Sequence, residues 1–271
     1  MEDADKHEAL RAERSLGILF SLMDYLDARG IVPAGDFLSF CTGQPEGMYR
    51  KEIFRDEEEA RSVRNNLHPG GIRATMDLCE IAGIHREMRI LDAGTGHGGA
   101  ARVMAENYGC SVIGIDTDYV RLLDAIFRTR ACRLEELVTF RLEDAYGTTF
   151  EDGCFDGVFR QHSVYGGEEE RFIRECRRVL KPGGIIAFHG ILKRISLGGR
   201  KWKMEDYSLE EYIRLLNAAG FSVRSTETEQ ATRFLLESLQ AHNPAMCGMI
   251  HKKLIMGIQL VAERGNSHDE Y

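Results

Sequence analysis

The chain is predicted to be an α/β protein: a doubly wound, seven-stranded, mostly parallel sheet with an N-terminal helical cap. Three observations carry this. From about residue 72, short apolar runs alternate with amphipathic stretches of roughly a dozen residues, the pattern of strands joined by crossover helices. A glycine-rich turn follows the first apolar run. Residues 1–66 lack the alternation and instead carry Leu16, Leu19, Phe20, Met23 and Leu26 on one helical face.

Within the N-terminal unit, Cys41–Gly47 breaks the pattern and Phe54–Val63 reads as a charged helix. The boundary to the main domain, 67–271, falls where the alternation begins. There the strands are Met88–Ala93, Ser111–Asp116, Val138–Leu142, Phe155–Arg160, Ile185–His189, one opening at Phe221–Val223, and Leu254–Ala262. Helices are expected over Ala100–Tyr108, Tyr119–Arg130, Glu169–Leu180 and Ala231–His242, each with apolar side chains at helical spacing. Lys181-Pro182-Gly183-Gly184 stops the Glu169 helix and turns the chain. Ser208-Leu209-Glu210-Glu211 is a capping box opening a helix that ends at Gly220.

Composition narrows the function classes. The chain has 271 residues and 43% hydrophobic side chains, enough for one large domain with an added cap. No apolar run reaches the length of a membrane span, and the first residues are acidic with no apolar signal segment, so the expectation is cytoplasmic and without a membrane partner. A net charge of -8 argues against a nucleic-acid partner. The cysteines, 7 in number, show no CxxC or metal-ligand spacing; reduced buried thiols and no metal are expected.

In a parallel sheet ligands bind beyond the carboxyl ends of the strands. The turn after the first strand reads Asp92-Ala93-Gly94-Thr95-Gly96-His97-Gly98-Gly99. Its Gly94-x-Gly96-x-x-Gly99 spacing alone also fits a dinucleotide site. Asp92, before the first glycine, would repel a pyrophosphate but suits a cationic amino-acid end. Asp116, closing the second strand, can accept both ribose hydroxyls. Glu143-Asp144-Ala145, after the third strand, can take an adenine amino group and a ring nitrogen. Together these favour S-adenosylmethionine over a nicotinamide dinucleotide.

In that order, Asp92–Gly98, Asp116, Asp144-Ala145 and Leu180–Gly184 resemble the motifs of class I S-adenosylmethionine-dependent methyltransferases, over about residues 67–262. The resemblance implies a Rossmann-like fold and S-adenosylmethionine as cofactor, leaving S-adenosylhomocysteine as product. It implies cofactor contacts from Asp92, Gly94, Thr95, Gly96, Asp116, Thr117, Asp144, Ala145, Arg160 and Gln161. A narrower likeness rests on Leu67–Thr75, with its His68-Pro69-Gly70-Gly71, and on Arg160-Gln161-His162. It is to the sarcosine/dimethylglycine N-methyltransferase and ubiquinone/menaquinone C-methyltransferase group, and implies that the His68 stretch packs near the methionine end of the cofactor and that the Gln161-His162 pair sits where the methyl group faces the acceptor. The chain departs after the fifth strand, where the glycine-methylating enzymes carry a Pro- and Trp-containing loop and this one has Lys193–Lys203.

His162 and His68 are therefore the candidate catalytic residues, since histidine suits acid–base work at neutral pH. His97 is read as lining the helix start. Tyr49 and Tyr165 are aromatic candidates for a sulfonium, set against ordinary packing. Lys193, Arg194, Arg200, Lys201 and Lys203 form either a solvated loop or a lid for an acidic acceptor. The leading expectation is methyl transfer to a small-molecule acceptor by a monomer or homodimer. A methyltransferase acting on RNA or protein, a nicotinamide oxidoreductase and a non-catalytic cofactor-binding regulator are the alternatives.

Overall fold

A computed structural model describes residues 68–163, 169–193, 207–239, 244–251 and 255–265. The expectations for residues 1–66, Tyr165 and residues 194–203 lie outside these. In chain order the elements are α1 (Gly71–Ala82), β1 (Arg89–Ala93), α2 (Gly99–Tyr108), β2 (Ser111–Asp116), α3 (Tyr119–Ala131), β3 (Val138–Leu142), β4 (Phe155–Gln161), α4 (Glu169–Val179), β5 (Leu180–Lys193), α5 (Leu209–Ala218), β6 (Phe221–Glu227), α6 (Glu229–Leu239), α7 (Pro244–His251) and β7 (Ile255–Arg264).

The strands form one 7-stranded sheet in the order β3-β2-β1-β4-β5-β7-β6. Neighbours from β3 through β5 run parallel, and β7 is antiparallel to both β5 and β6. The strand order reverses between β1 and β4, where a doubly wound sheet opens a crevice for ligands.

The central strands are mostly apolar because helices cover both faces of the sheet. Side chains alternate between the faces. Leu91, Val158, Ile186 and Phe188 pack with α4 and α5, beside Phe172, Ile173 and Tyr212. Ile90, Phe159 and Ala187 pack with α1 and α2, beside Leu78 and Met104. This alternation later decides where Arg160, Gln161 and His189 go.

Helix ends follow their local chemistry. The Asp118 carboxylate caps α3 by accepting from the N–H groups of Val120 (2.9 Å) and Arg121 (3.3 Å). The expected capping box is present at α5: Ser208 N–H donates to Glu211 at 2.9 Å, and Glu211 N–H donates to the Ser208 hydroxyl at 3.4 Å.

Three expectations change. Lys181–Gly184 turns the chain inside β5 rather than ahead of it: Leu180 already pairs with Phe155, pairing resumes at Ile185 with Gly157, and Gly183 sits at φ 75°. β5 also outruns His189 and reaches Lys193, because antiparallel β7 supplies partners as far as Ile255. The short helix α7, opened by Pro244 and containing Gly248, carries no sequence periodicity strong enough to announce it.

Candidate functional site

A cavity of about 310 Å³ lies at the carboxyl ends of β1 to β4. Its floor is the glycine turn between β1 and α2. Gly94, Gly96 and Gly98 all have positive φ (72°, 54° and 72°), a backbone region in which a Cβ is strained. Gly98 is further required by crowding, since a Cβ there would meet the Phe140 ring at 2.7 Å.

The turn is tied down from within. The N–H groups of Gly94 and Thr95 donate to the Ile115 carbonyl at 2.8 and 2.9 Å, and Gly98 N–H donates to Thr95 at 2.9 Å. Gly96 N–H donates to the Asp116 carboxylate at 2.9 Å, and the other oxygen of Asp116 accepts from Asp118 N–H at 3.0 Å. His97 is held from α3: its Nδ1 lies 2.6 Å from the buried Asp124 carboxylate, to which Arg128 Nε donates at 2.7 Å. Burial works against the charge on Asp124, but His97 and Arg128 outweigh it and hold the carboxyl below its ordinary range.

Asp92 is 2% exposed and accepts one short bond, 2.6 Å, from the Thr95 hydroxyl. Burial raises its pKa to about 6, against the Thr95 bond and with a smaller push from Asp116. A carboxyl in that condition gains most from a cation. Glu143, Asp144 and Ala145 follow β3 along the wall; Asp144 accepts from Tyr146 N–H at 3.0 Å in a side-chain turn. These groups fit a nucleoside carrying an ammonium: Asp92 at the ammonium, Asp116 at the ribose, Asp144 and Ala145 at adenine.

The opposite end is built from Gln161, His162, Ser163 and His68. The Ser163 hydroxyl donates to the Ala93 carbonyl at 2.6 Å, fastening the end of β4 to the end of β1. His162 has φ 48°, in the left-handed region, and its N–H donates to the His189 carbonyl at 2.8 Å. Behind it stands His189 of β5, 1% exposed. The ring centroids of His162 and His189 are 4.5 Å apart, those of His68 and His189 5.5 Å, and His68 stacks parallel to His162 at 6.5 Å. Burial is the main reason all three stay uncharged: it lowers His68 to about 4, His162 to about 3 and His189 well below its ordinary value.

Thr75 joins this cluster to α1. Its hydroxyl lies 3.0 Å from His68 Nε2 and 3.2 Å from the Gln161 side-chain oxygen. His68 Nδ1 sits 3.2 Å from the Pro69 carbonyl, which only accepts. A proton on Nδ1 therefore makes Nε2 the acceptor of the Thr75 hydroxyl. Turning the Gln161 amide then lets its NH₂, otherwise without a partner, donate to Thr75.

Of the residues expected at the site, Asp92, Gly94, Thr95, Gly96, Asp116, Thr117, Asp144, Ala145, Gln161, His162 and His68 line one cavity. Arg160 does not. As the neighbour of Gln161 on a strand it points to the other face, where it is 3% exposed between Phe172 and Phe188, 4.7 and 4.6 Å from their ring centres. There it donates to Glu169 at 3.0 Å, and the Tyr212 hydroxyl donates to the same carboxylate at 2.5 Å. Burial opposes its charge, but Glu169 and Tyr212 more than offset this and raise its pKa. Sequence reasoning missed Ser163, Arg121 and Tyr146 at the wall and His189 behind it. Only strand parity pointed to His189, which shares the face of Ala187.

Among the described residues no group of three or more His, Cys, Asp or Glu side chains is placed to hold a metal, and no helix is long and apolar enough to cross a membrane. Cys79, Cys110, Cys154, Cys176 and Cys247 are free thiols.

Residues 91–188, from β1 through most of β5, match the family model described as a methyltransferase domain. The chain is 39% identical over 106 residues to the glycine/sarcosine/dimethylglycine N-methyltransferase of Actinopolyspora halophila, a match covering 39% of this chain and 19% of that one. It is 28% identical over 180 residues to phosphoethanolamine N-methyltransferase 1 of Zea mays, covering 63% and 36% respectively. The chain thus spans well under half the length of these two relatives. Among solved structures it resembles the 4+2 cyclase SpnF (27% identity, TM-score 0.62, 72% of this chain and 82% of that one). The geranyl diphosphate C-methyltransferase of Streptomyces coelicolor A3(2) shares its fold (19% identity, TM-score 0.65, 86% and 88%).

Proposed function

We propose that the chain binds S-adenosylmethionine and transfers its methyl group to a small-molecule acceptor, its N, C, O or S nucleophile unresolved. The observation that carries this is the single cavity joining Asp92, Asp116 and Asp144-Ala145 at one end to His68 and His162 at the other. S-adenosylmethionine supplies an already activated methyl on a sulfonium, so the protein's work is alignment and exclusion of water. In this reading Asp116 accepts the ribose hydroxyls, Asp144 and Ala145 take adenine, and Asp92 pairs with the ammonium. Gly94, Thr95 and Gly96 let the methionine part lie close to the backbone. Thr117 flanks the ribose and Gln161 the methyl end. His68 and His162 face the acceptor as uncharged hydrogen-bonding groups. Arg160 has no part in the site.

The methyltransferase match over residues 91–188 supports this reading, as do relatives named for small acceptors. A cytoplasmic monomer or homodimer, with residues 1–66 covering the acceptor end and residues 193–203 meeting an acidic acceptor, completes the proposal. The free thiols support a reducing compartment. Calorimetry of the full chain with S-adenosylhomocysteine and with NAD tests it: S-adenosylhomocysteine is expected to bind and NAD not to. NAD binding in its place would overturn it.

The likeness to a chain named as a cyclase supports a second reading, in which the cofactor is bound without methyl transfer. It predicts S-adenosylhomocysteine affinity with no methylated product from any acceptor offered.

A further inference from the structure

The histidines beyond the cofactor end carry an inference that rests on the proposed methyltransferase reading and narrows its acceptor. His162 Nε2, both ring nitrogens of His189, the Gln161 amide atom turned away from Thr75 and the Gln259 amide oxygen are buried without hydrogen-bond partners among the described residues. Orphaned buried polar atoms are costly, so these groups call for a partner that the protein itself does not supply. Gln259 belongs to the same group, since it pairs with His189 in the β5–β7 register and donates to the Ala74 carbonyl of α1 at 2.7 Å. A second sign is backbone strain. His162 is held in the left-handed region by its bond to the His189 carbonyl, and such strain persists where the surroundings enforce it.

The chemistry of this nest is specific. Each imidazole offers one donor and one acceptor and exchanges them by changing tautomer; the two amides offer both. No carboxylate among the described residues bonds to any of the three rings. Among the described residues, the charged groups around the rings include Arg160, which lowers His162 further, Arg73 on α1, whose guanidinium lies 6.0 Å over the Phe234 ring beside His189, and Asp92 in the same cavity. Among the described residues a buried ammonium would find no carboxylate against these rings, and a buried carboxylate would find only uncharged donors there. A hydroxyl, which both donates and accepts, matches the set.

We propose that His68, His162 and His189, with Gln161, seat a hydroxyl group of the methyl acceptor, His162 making the contact and His189 acting as the positioning residue behind it. The group the acceptor places here is then an uncharged alcohol or phenol hydroxyl rather than an amine that enters as an ammonium.

The test is nitrogen-15 NMR of the histidine rings in the full chain saturated with S-adenosylhomocysteine, titrated with phenol and, separately, with ethylammonium chloride. Phenol is expected to shift the His162 and His189 ring nitrogens, with all three rings remaining uncharged between pH 5 and 8. Ethylammonium is expected to move none of them. His189→Phe, which keeps a ring but removes both nitrogens, should weaken phenol binding roughly three- to tenfold while leaving S-adenosylhomocysteine affinity unchanged. If that variant does not fold, His189→Gln serves, and should keep phenol binding within about threefold of the wild type because it retains a donor and an acceptor. Ethylammonium binding as tightly as phenol, a charged ring above pH 5, or phenol shifting no ring nitrogen each overturns the proposal. Failure of S-adenosylhomocysteine to bind the wild type strikes the cofactor reading instead, so the two failures are told apart.

Discussion

The two ends of the cavity are built on opposite plans. At the cofactor end the polar groups are already engaged: Gly96 and Asp118 donate to Asp116, Thr95 to Asp92, and His97 meets Asp124. At the acceptor end several polar atoms are buried and unused, with His162, His189, Gln161 and Gln259 each carrying at least one atom without a partner among the described residues. The first end is a rigid mould made by backbone geometry and carboxylates. The second is a set of uncharged groups whose roles are settled only when something arrives.

The strongest perturbation of this contrast should come from outside both ends. Glu169→Gln leaves the buried Arg160 guanidinium without its counter-charge and is expected to destabilise the fold by about 3–5 kcal/mol in urea titration. S-adenosylhomocysteine affinity of the folded fraction should not change; a parallel loss of affinity would return Arg160 to the site. At the cofactor end, Asp116→Ala should weaken S-adenosylhomocysteine binding by about 1–3 kcal/mol in calorimetry, through lost charge-assisted bonds to ribose and a loosened Gly96. Wild-type affinity in that variant would refute the placement of the nucleoside.

The acceptor end should show itself as acid sensitivity. Below the ordinary histidine value of 6.5 the unfolded chain takes up protons that folded His68 and His162 refuse until about pH 4 and 3. The unfolded state then binds more protons, so stability falls as pH drops from about 6.5 to 4, by up to about 1.4 kcal/mol per pH unit for each ring. Asp92 acts oppositely: raised to about 6, it takes a proton in the folded state before the unfolded one does, and offsets about one ring below that pH. Urea titrations across this range should show a shallower slope for His189→Phe than for the wild type. An unchanged slope would mean that His189 is not held uncharged. The smallest effect is expected from Thr75→Val, about 1 kcal/mol, which cuts the link between His68 and Gln161 and should alter the acceptor end alone.

The same contrast explains what was legible in the sequence. The cofactor end is local: glycines that tolerate positive φ and carboxylates at strand ends announce themselves within a few residues. The parallel core and the α5 capping box were readable for the same reason. The acceptor end depends on register. Gln161 faces His189 because β4 and β5 align at that pair, and Gln259 joins through an antiparallel strand far along the chain. No local signal carries that information, so His189 read as the last residue of an apolar strand. The resemblance that assigns Arg160 to the cofactor carries no strand parity, and strand geometry turns it and its neighbour Gln161 to opposite faces.

The internal bonding of the glycine turn has a consequence for selectivity among nucleotides. Anion cradles work by converging free backbone N–H groups on a phosphate. Here the amides of Gly94, Thr95, Gly96 and Gly98 already point into the protein, one of them at a carboxylate. With Asp92, Asp116, Glu143 and Asp144 among its lining residues against the one arginine Arg121, the cavity disfavours phosphates. Adenine nucleotides abundant in any cell should therefore be poor competitors for this pocket, and a nucleoside bearing positive charge in place of phosphate is sorted from them before any contact with the histidines.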